Sequence, residues 1–375
     1  MSRAHAFLSA SGAARWIACP PSAKLSEQYE DTGSDYAAQG TDAHTLAEYK
    51  VLEMLGKHPK DPRDGLKYLD AEMEECTDQY AAYVAEVLTE VKEDCKDPIV
   101  MVETQVDFST WVPEGFGTAD CIIVGNGILH IIDFKYGTGV EVSAENNPQL
   151  SCYALGAVDM LDDLYGIDAV AMTIFQPRRE NVSEWVLCKG ELIDWAEKTL
   201  RPAAELAAKG EGEFKCGEHC RFCKARHECR ARAAAQMDLM KYELALPPVL
   251  TDEEIEDILG RVDGLVSWAE DIKAYALESA ISGKRWYGFK LVEGRSTRRY
   301  TDEEAVANAV TAAGLDPYEH SVLGITAMTK LLGKKKFEEL LGALIEKPQG
   351  KPTLVPESDK RPALTNNDFD NEEGE

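Results

Sequence analysis

The strongest constraint on how this chain folds lies between Gly117 and Lys135, where two apolar runs flank Asn126-Gly127. The first run opens at Asp120, and the second closes on Asp133-Phe134-Lys135. An Asn-Gly pair between apolar runs is the signature of a two-residue type I′ hairpin loop. Counting outward from that loop pairs Gly125 with Ile128 and sets Asp120 opposite Asp133, with Cβ atoms about 4.5–5.5 Å apart. Lys135, two residues further on, falls on the same face. Two carboxylates this close repel unless a cation lies between them, so the hairpin predicts a divalent-metal site. The competing interpretation is an ordinary hairpin with solvated acids. Against it, one face (Ile122, Val124, Leu129, Ile131) and the other (Cys121, Ile123, Ile132, Phe134) are both apolar. A strand pair apolar on both sides is central and covered, and acids buried there require partners.

The rest of the chain sets limits on function. With 375 residues it can bury a large core and hold more than one unit. No run of 18 apolar residues occurs and the N-terminus lacks a signal-peptide core, so a soluble, cytoplasmic protein with no membrane partner is expected. Ten cysteines in that setting point to thiols or metal ligands rather than disulfides. A net charge of −27 argues against nucleic-acid binding by bulk electrostatics alone. The charge is uneven, however. Residues 215–232 carry six basic and two acidic side chains, residues 284–300 six and one, and Lys330, Lys334, Lys335 and Lys336 form a third cluster. These patches are compatible with a nucleic-acid groove and equally with solvated faces. Residues 357–375, with seven acids against two bases, have the composition of a disordered acidic tail.

Periodicity and punctuation predict helices over 9–27 (stopped by Pro20-Pro21), 38–56 and 71–95, then strands over 99–107, 118–124 and 128–135. A helix over 147–161, strands over 169–175 and 183–188, a helix over 191–209 and a cysteine-rich loop over 214–230 follow. This order implies an α/β core. Beyond 236, Thr251-x2-Glu254 and Thr301-x2-Glu304 read as capping boxes. A strand is expected at Trp286–Val292 and short helices at 302–313, 325–332 and 334–346. The expected organisation is a catalytic domain over 1–236, a mainly helical accessory region over 237–347 and the acidic tail over 348–375.

Asp120, Asp133 and the carbonyl of Phe134 offer the oxygen ligands that suit Mg²⁺ or Mn²⁺. Lys135 would orient water or stabilise developing charge. His44 and Glu48, at i and i+4 of one helix, each offer a further ligand, and imidazole favours Mn²⁺. Glu103 is either a further acid at the site or an exposed strand residue. With Gly40-Thr-Asp-Ala-His44, Gly117-Thr-Ala-Asp120, Asp133-Phe-Lys135 and Gln149-x3-Tyr153 in this order, the chain resembles the PD-(D/E)XK nucleases of the RecB type over residues 8–230. Ala119-Asp120 stands where the superfamily's name has Pro-Asp. The resemblance implies a restriction-endonuclease-like core and an active site of His44, Asp120, Asp133 and Lys135, with Gln149 and Tyr153 near the site and the DNA.

Cysteines form the second constellation: Cys216-x3-Cys220-x2-Cys223-x5-Cys229, with Cys19 far upstream. Four thiolates suit Zn²⁺ or an iron–sulfur cluster. A local zinc knuckle would use Cys216, Cys220, Cys223 and Cys229. The alternative set of Cys19, Cys220, Cys223 and Cys229 resembles the iron–sulfur nucleases of the AddB type, which implies a [4Fe–4S] cluster stapling the two ends of the nuclease domain. His219 and His227 are candidate substitutes for one ligand. Cys76, Cys95, Cys121, Cys152, Cys188, His130 and Trp268 are expected to be packing residues, whereas Trp286 and Tyr287 suit either packing or base stacking. The expected function is metal-dependent hydrolysis of DNA, as an exonuclease of phage or prophage type acting in recombination, repair or replication. Its partners would be DNA, a recombination or replication protein, and further copies of itself. A catalytically silent DNA-binding accessory protein and a redox or regulatory iron–sulfur protein are the rivals.

Overall fold

The computed structural model describes residues 6–29, 35–242, 249–294, 298, 300–318, 322–346, 353–357, 359 and 361–363, without the side chains at 326, 330 and 334. The chain forms two compact units, Met1–Glu278 and Ser279–Glu375. The first is a mixed α/β structure, and it extends through much of the region beyond residue 236.

Its helices are α1 (Ala13–Ala18), α2 (Ser22–Ser26), α3 (Asp35–Met54), α4 (Ala71–Asp94), α5 (Pro148–Tyr165), α6 (Lys189–Trp195), α7 (Arg201–Lys209), α8 (Arg230–Met237), α9 (Asp252–Leu259) and α10 (Val262–Ile281), the last running across the boundary. The strands are β1 (Ile99–Asp107), β2 (Phe116–Gly125), β3 (Ile128–Phe134), β4 (Ala169–Gln176) and β5 (Asn181–Cys188). They form one sheet in the order β1-β2-β3-β4-β5, antiparallel except for the parallel β3–β4 pair. Parallel neighbours require a crossover, and α5 supplies it. Asn147 opens α5 by accepting from the amides of Gln149 and Leu150, and Gly166, with φ of 57°, closes it.

Both sheet faces are covered, as their patterning requires. Ile122, Val124, Leu129 and Ile131 pack under α5 with Val170 and Met172. Cys121, Ile123, Ile132 and Phe134 pack beneath α3 and α4 with Phe175. The buried amine of Lys50 links α3 to α4. It reaches the carbonyl of Glu74 at 2.7 Å, the Glu74 carboxylate at 2.7 Å and Asp78 at 2.6 Å, so all three of its donors are used. Arg63 holds the same Glu74 through Nε at 2.6 Å.

Several expectations require correction. The helix foreseen over 191–209 begins at Lys189 and contains a π-helical turn over Ala196–Leu200, just before Pro202, which has no amide hydrogen to give to the preceding turn. Cys188 is exposed at the N-cap of α6 instead of lying in the core, and Cys95 is only half-buried. Thr251 and Glu254 do form a reciprocal capping box.

In the second unit, α11 (Glu303–Ala312), α12 (Ile325–Leu332) and α13 (Lys334–Leu341) match the expected helices. Asp302 caps α11, one residue beyond the Thr301 expected, because its carboxylate reaches the Ala305 amide at 2.9 Å. Trp286–Val292 forms no strand. Tyr287, Phe289 and Val292 are exposed, so the apolar alternation has no sheet to bury it. Residues 348–352, 358, 360 and 364–375 of the acidic tail and 295–297 and 299 of the basic run lie outside the described residues, as do the side chains of Lys330 and Lys334. Among the described residues no helix is long and apolar enough to cross a membrane.

Candidate metal centre and cysteine pocket

Asn126 and Gly127 take φ of 50° and 73°, as a type I′ loop requires, and Gly125 pairs with Ile128. The β2–β3 ladder ends at Cys121–Ile132. One step further, Asp120 is bonded by its side chain, Oδ2 accepting from the Phe134 amide at 2.7 Å. The β1–β2 ladder breaks at the same place: Val102 pairs with Cys121 and Thr104 with Ala119, skipping Glu103 and Asp120 with no change of register. Glu103 there has φ of 46°, a left-handed conformation that costs a non-glycine residue about 1 kcal/mol or more. The twist brings its carboxylate toward α3. One donor atom each from His44, Glu103 and Asp120 then lie within 4.8 Å of one another. His44 Nδ1 is 3.2 Å from Asp120 Oδ1 and 4.0 Å from Glu103 Oε1.

Asp133, 2 % exposed, sits beside this triad at the end of β3. Gln149 donates to its Oδ1 at 3.2 Å and to the Tyr153 hydroxyl at 3.0 Å, and accepts from Lys135 Nζ at 3.2 Å. Lys135 Nζ is also 2.8 Å from Asp133 Oδ2, an ion pair within the buried corner. Gly117 of the first aspartate's motif faces the Tyr153 ring, and a Cβ there would stand 2.8 Å from Cε1. Thus α3, β2, β3 and α5 bring His44, Asp120, Asp133, Lys135, Gln149 and Tyr153 to one corner, with Asp133 outside the 4.8 Å triad.

The electrostatics follow from crowding charges in a covered corner. Burial pushes the Asp133 carboxyl up, and the charge of Asp120 adds to this against the opposing pull of Lys135. For Asp120 burial acts upward too, but His44, Lys135 and the Phe134 amide outweigh it and hold the carboxyl below its usual range. Burial would lower His44 and Lys135, yet the neighbouring carboxylates raise both. Glu103 is pushed up to about 7 by burial and by Asp120. Glu48 stands close enough to add to that rise but outside the converging triad. Glu103's strain left no trace in sequence, since nothing in Val-Glu-Thr signals positive φ. His130 is half-buried on the opposite face, as expected of a packing residue.

The cysteines gather around a small, partly open pocket lined by Cys19, Cys220, Cys223 and Cys229. Cys216 is absent from this lining and lies beside Gln236, whose amide is 3.8 Å from its sulfur. His219 lies between the thiols of Cys19 and Cys220, whose hydrogen bonds raise its imidazole to about 10. His227 instead stacks on Tyr275 at 4.0 Å. Arg226 and Arg232 line the pocket and bind Asp271 of α10, tying that helix to the cysteine loop. Trp268, also on α10, has a buried indole N–H with no partner among the described residues. Among the described residues, no three of these thiols and imidazoles converge within 4.8 Å as the acid–histidine triad does.

A solved structure described as "Crystal structure of SSO0001" is similar at 16 % identity, covering 52 % of this chain and 98 % of that one with a TM-score of 0.23, a likeness that bears no weight on fold or function. A family model described as "Protein of unknown function (DUF2800)" matches residues 5–362, nearly the whole chain. With its metal-ligand corner and cysteine pocket both inside that match, the chain belongs to the DUF2800 family.

Proposed function

We propose that this protein is a metal-dependent DNA nuclease built on a restriction-endonuclease-like core of the RecB type. The convergence of His44, Glu103 and Asp120 within 4.8 Å, beside the Asp133–Lys135 pair, carries the proposal. Three carboxylates with one imidazole are a donor set suited to a hard divalent cation, with Mn²⁺ favoured by the nitrogen ligand. Buried Asp133, paired with Lys135 at 2.8 Å, adds the third carboxylate beside Glu103 and Asp120. His44, Glu103, Asp120 and Asp133 would hold Mg²⁺ or Mn²⁺. Such an ion, when bound, neutralises phosphodiester charge and acidifies water. Lys135 retains its proton and presents an ammonium beside Asp133, where it can orient a nucleophile or stabilise charge on phosphorus oxygens. Gln149 holds Lys135 and Asp133 in fixed relation, and Tyr153 holds Gln149.

For the cysteine pocket we propose a [4Fe–4S] cluster on Cys19, Cys220, Cys223 and Cys229. The pocket lining, which includes Cys19 and not Cys216, supports this set over a local zinc knuckle. The cluster would staple the N-terminal helices to the loop after α7. DNA as partner and a phage role in recombination, repair or replication within the bacterial cytoplasm follow from the resemblance.

The test is cleavage of linear single- and double-stranded DNA in Mn²⁺ by the wild type and by Asp133→Ala. The wild type should degrade DNA, and the variant should lose at least 1,000-fold in rate while melting within a few degrees of the wild type. A variant that keeps most of its activity would overturn the proposal.

A further inference from the structure

Gln176, at the end of β4, is 1 % exposed, and its side chain is fully engaged. Its amide nitrogen donates to the carbonyls of Gly137 at 2.7 Å and Val140 at 2.8 Å. Its amide oxygen accepts from the Val142 N–H at 3.1 Å and from Asn181 Nδ2 at 3.3 Å. Two donors and two acceptor sites are all that a glutamine has, and every one serves the segment between Lys135 and α5 or its support. Neighbours complete the anchoring. Arg179 Nη1 donates to the Thr138 carbonyl at 2.8 Å, Asn181 Nδ2 to the Val142 carbonyl at 2.8 Å, and the Ala144 amide to Ser183 Oγ at 3.0 Å.

The pattern is one-sided. The carbonyls of residues 137, 138, 140 and 142 are taken by side chains of β4, β5 and their connecting turn. The amides of Gly137, Thr138, Gly139 and Val140 find no acceptor among the described residues. All four residues are exposed, and the two glycines have nothing within 4 Å of where a Cβ would stand. A run of exposed N–H groups, here starting two residues after Lys135, can receive an anion. The exposed Arg179 adds a positive charge near the Gly137–Val140 stretch, which has no acid of its own, while Glu141 and Glu145 follow it before α5.

We infer that the Gly137–Val140 segment receives phosphate oxygens of the nucleic-acid strand flanking the scissile bond, and that Gln176 is the positioning residue that holds it in place. This rests on the nuclease proposal and assigns a substrate-contacting element to the same site. The ligand class is a phosphodiester backbone, recognised without regard to base.

The experiment measures binding of a fluorescein-labelled 20-nucleotide DNA by fluorescence anisotropy in Ca²⁺, alongside cleavage in Mn²⁺, for the wild type, Gln176→Ala and Gly139→Pro. The proline change deletes one amide hydrogen where space is open, leaves Gln176 in place and decides the matter should Gln176→Ala fail to fold. Both variants should weaken DNA binding five- to tenfold and raise KM more than they lower kcat, while the Mn²⁺-dependent thermal shift persists. Wild-type affinity in a folded variant overturns the inference whatever the cleavage result. A wild type that binds but never cleaves overturns the nuclease proposal and leaves the binding comparison to judge the segment. A wild type that does neither overturns both.

Discussion

Replacing Asp120 with asparagine should separate metal binding from folding. In the metal-free protein Asp120 is attracted to His44 and Lys135 and repelled by Glu103 and Asp133. At an effective dielectric of about 20, two unit charges 4.8 Å apart, the outer limit of the triad, interact by about 3.5 kcal/mol. Repulsion from Glu103 and Asp133 offsets part of the attraction, and the lowered Asp120 carboxyl shows that a modest net attraction remains to be lost. The asparagine oxygen can still accept from the Phe134 amide, and the metal-free melting temperature should stay within about 3 °C of wild type. The loaded protein is different. At 1 mM Mn²⁺ and a dissociation constant of about 10 μM, binding stabilises the fold by about 2.7 kcal/mol. For a unit of this size that is a rise of about 4–5 °C. Asp120→Asn removes a ligand oxygen and a charge together, and the rise should fall below about 2 °C. Thermal melts of chelator-treated protein at pH 7.5, with and without Mn²⁺, read both quantities. A variant that keeps the full Mn²⁺-dependent rise would refute the ligand assignment, and one that collapses without metal would make Asp120 a folding residue.

Three more predictions concern the scaffold. Gly156 lies on α5 against β1, where a Cβ would stand 2.9 Å from the Asp107 carbonyl oxygen and 2.9 Å from Val106 Cβ. Gly156→Ala should therefore cost about 1–2 kcal/mol after its gain in helix propensity, read as a lower urea midpoint, and an unchanged midpoint would show that α5 yields freely. Arg63 holds the Glu74 carboxyl at about 2, with Lys50 assisting against a smaller opposing effect of burial. Because this folded-state value lies below the unfolded one, the stabilisation is present above pH 4.5 and lost as pH falls toward 2. Between pH 5 and pH 3, Glu74→Gln should lose about 1–2 kcal/mol less than wild type in urea titrations, and parallel losses would refute the linkage. Finally, Cys19→Ala should remove the absorbance near 400 nm and most of the iron from anaerobically purified protein. Full iron content would transfer the fourth ligand to another residue, with Cys216 the nearest thiol alternative.

The strand–helix order through residue 209 and both apolar sheet faces were readable from the chain because period and turn chemistry are local. The strand assigned to Trp286–Val292 failed for the complementary reason. Its pattern suits a sheet, but among the described residues no second strand lies beside it, and β propensity expresses packing more than backbone preference.

What the sequence by itself determined was the bend at Asn126-Gly127. Two residues needing positive φ impose the turn, and the turn imposes the register that carries Asp120 and Asp133 to the same end of the hairpin. Cysteine spacing was likewise written locally for Cys220, Cys223 and Cys229. Tertiary structure alone decided the rest. Helix α3 had to pack on β1 before His44 could meet Asp120, and both ladders had to break at one residue before Glu103 could turn inward. The parallel crossover placed Gln149 over Asp133, and the folding of the N-terminal helices against the loop after α7 brought Cys19 to its trio. Such convergences join residues distant in sequence, and the burial that stabilises them belongs to the packed layers rather than to any local segment.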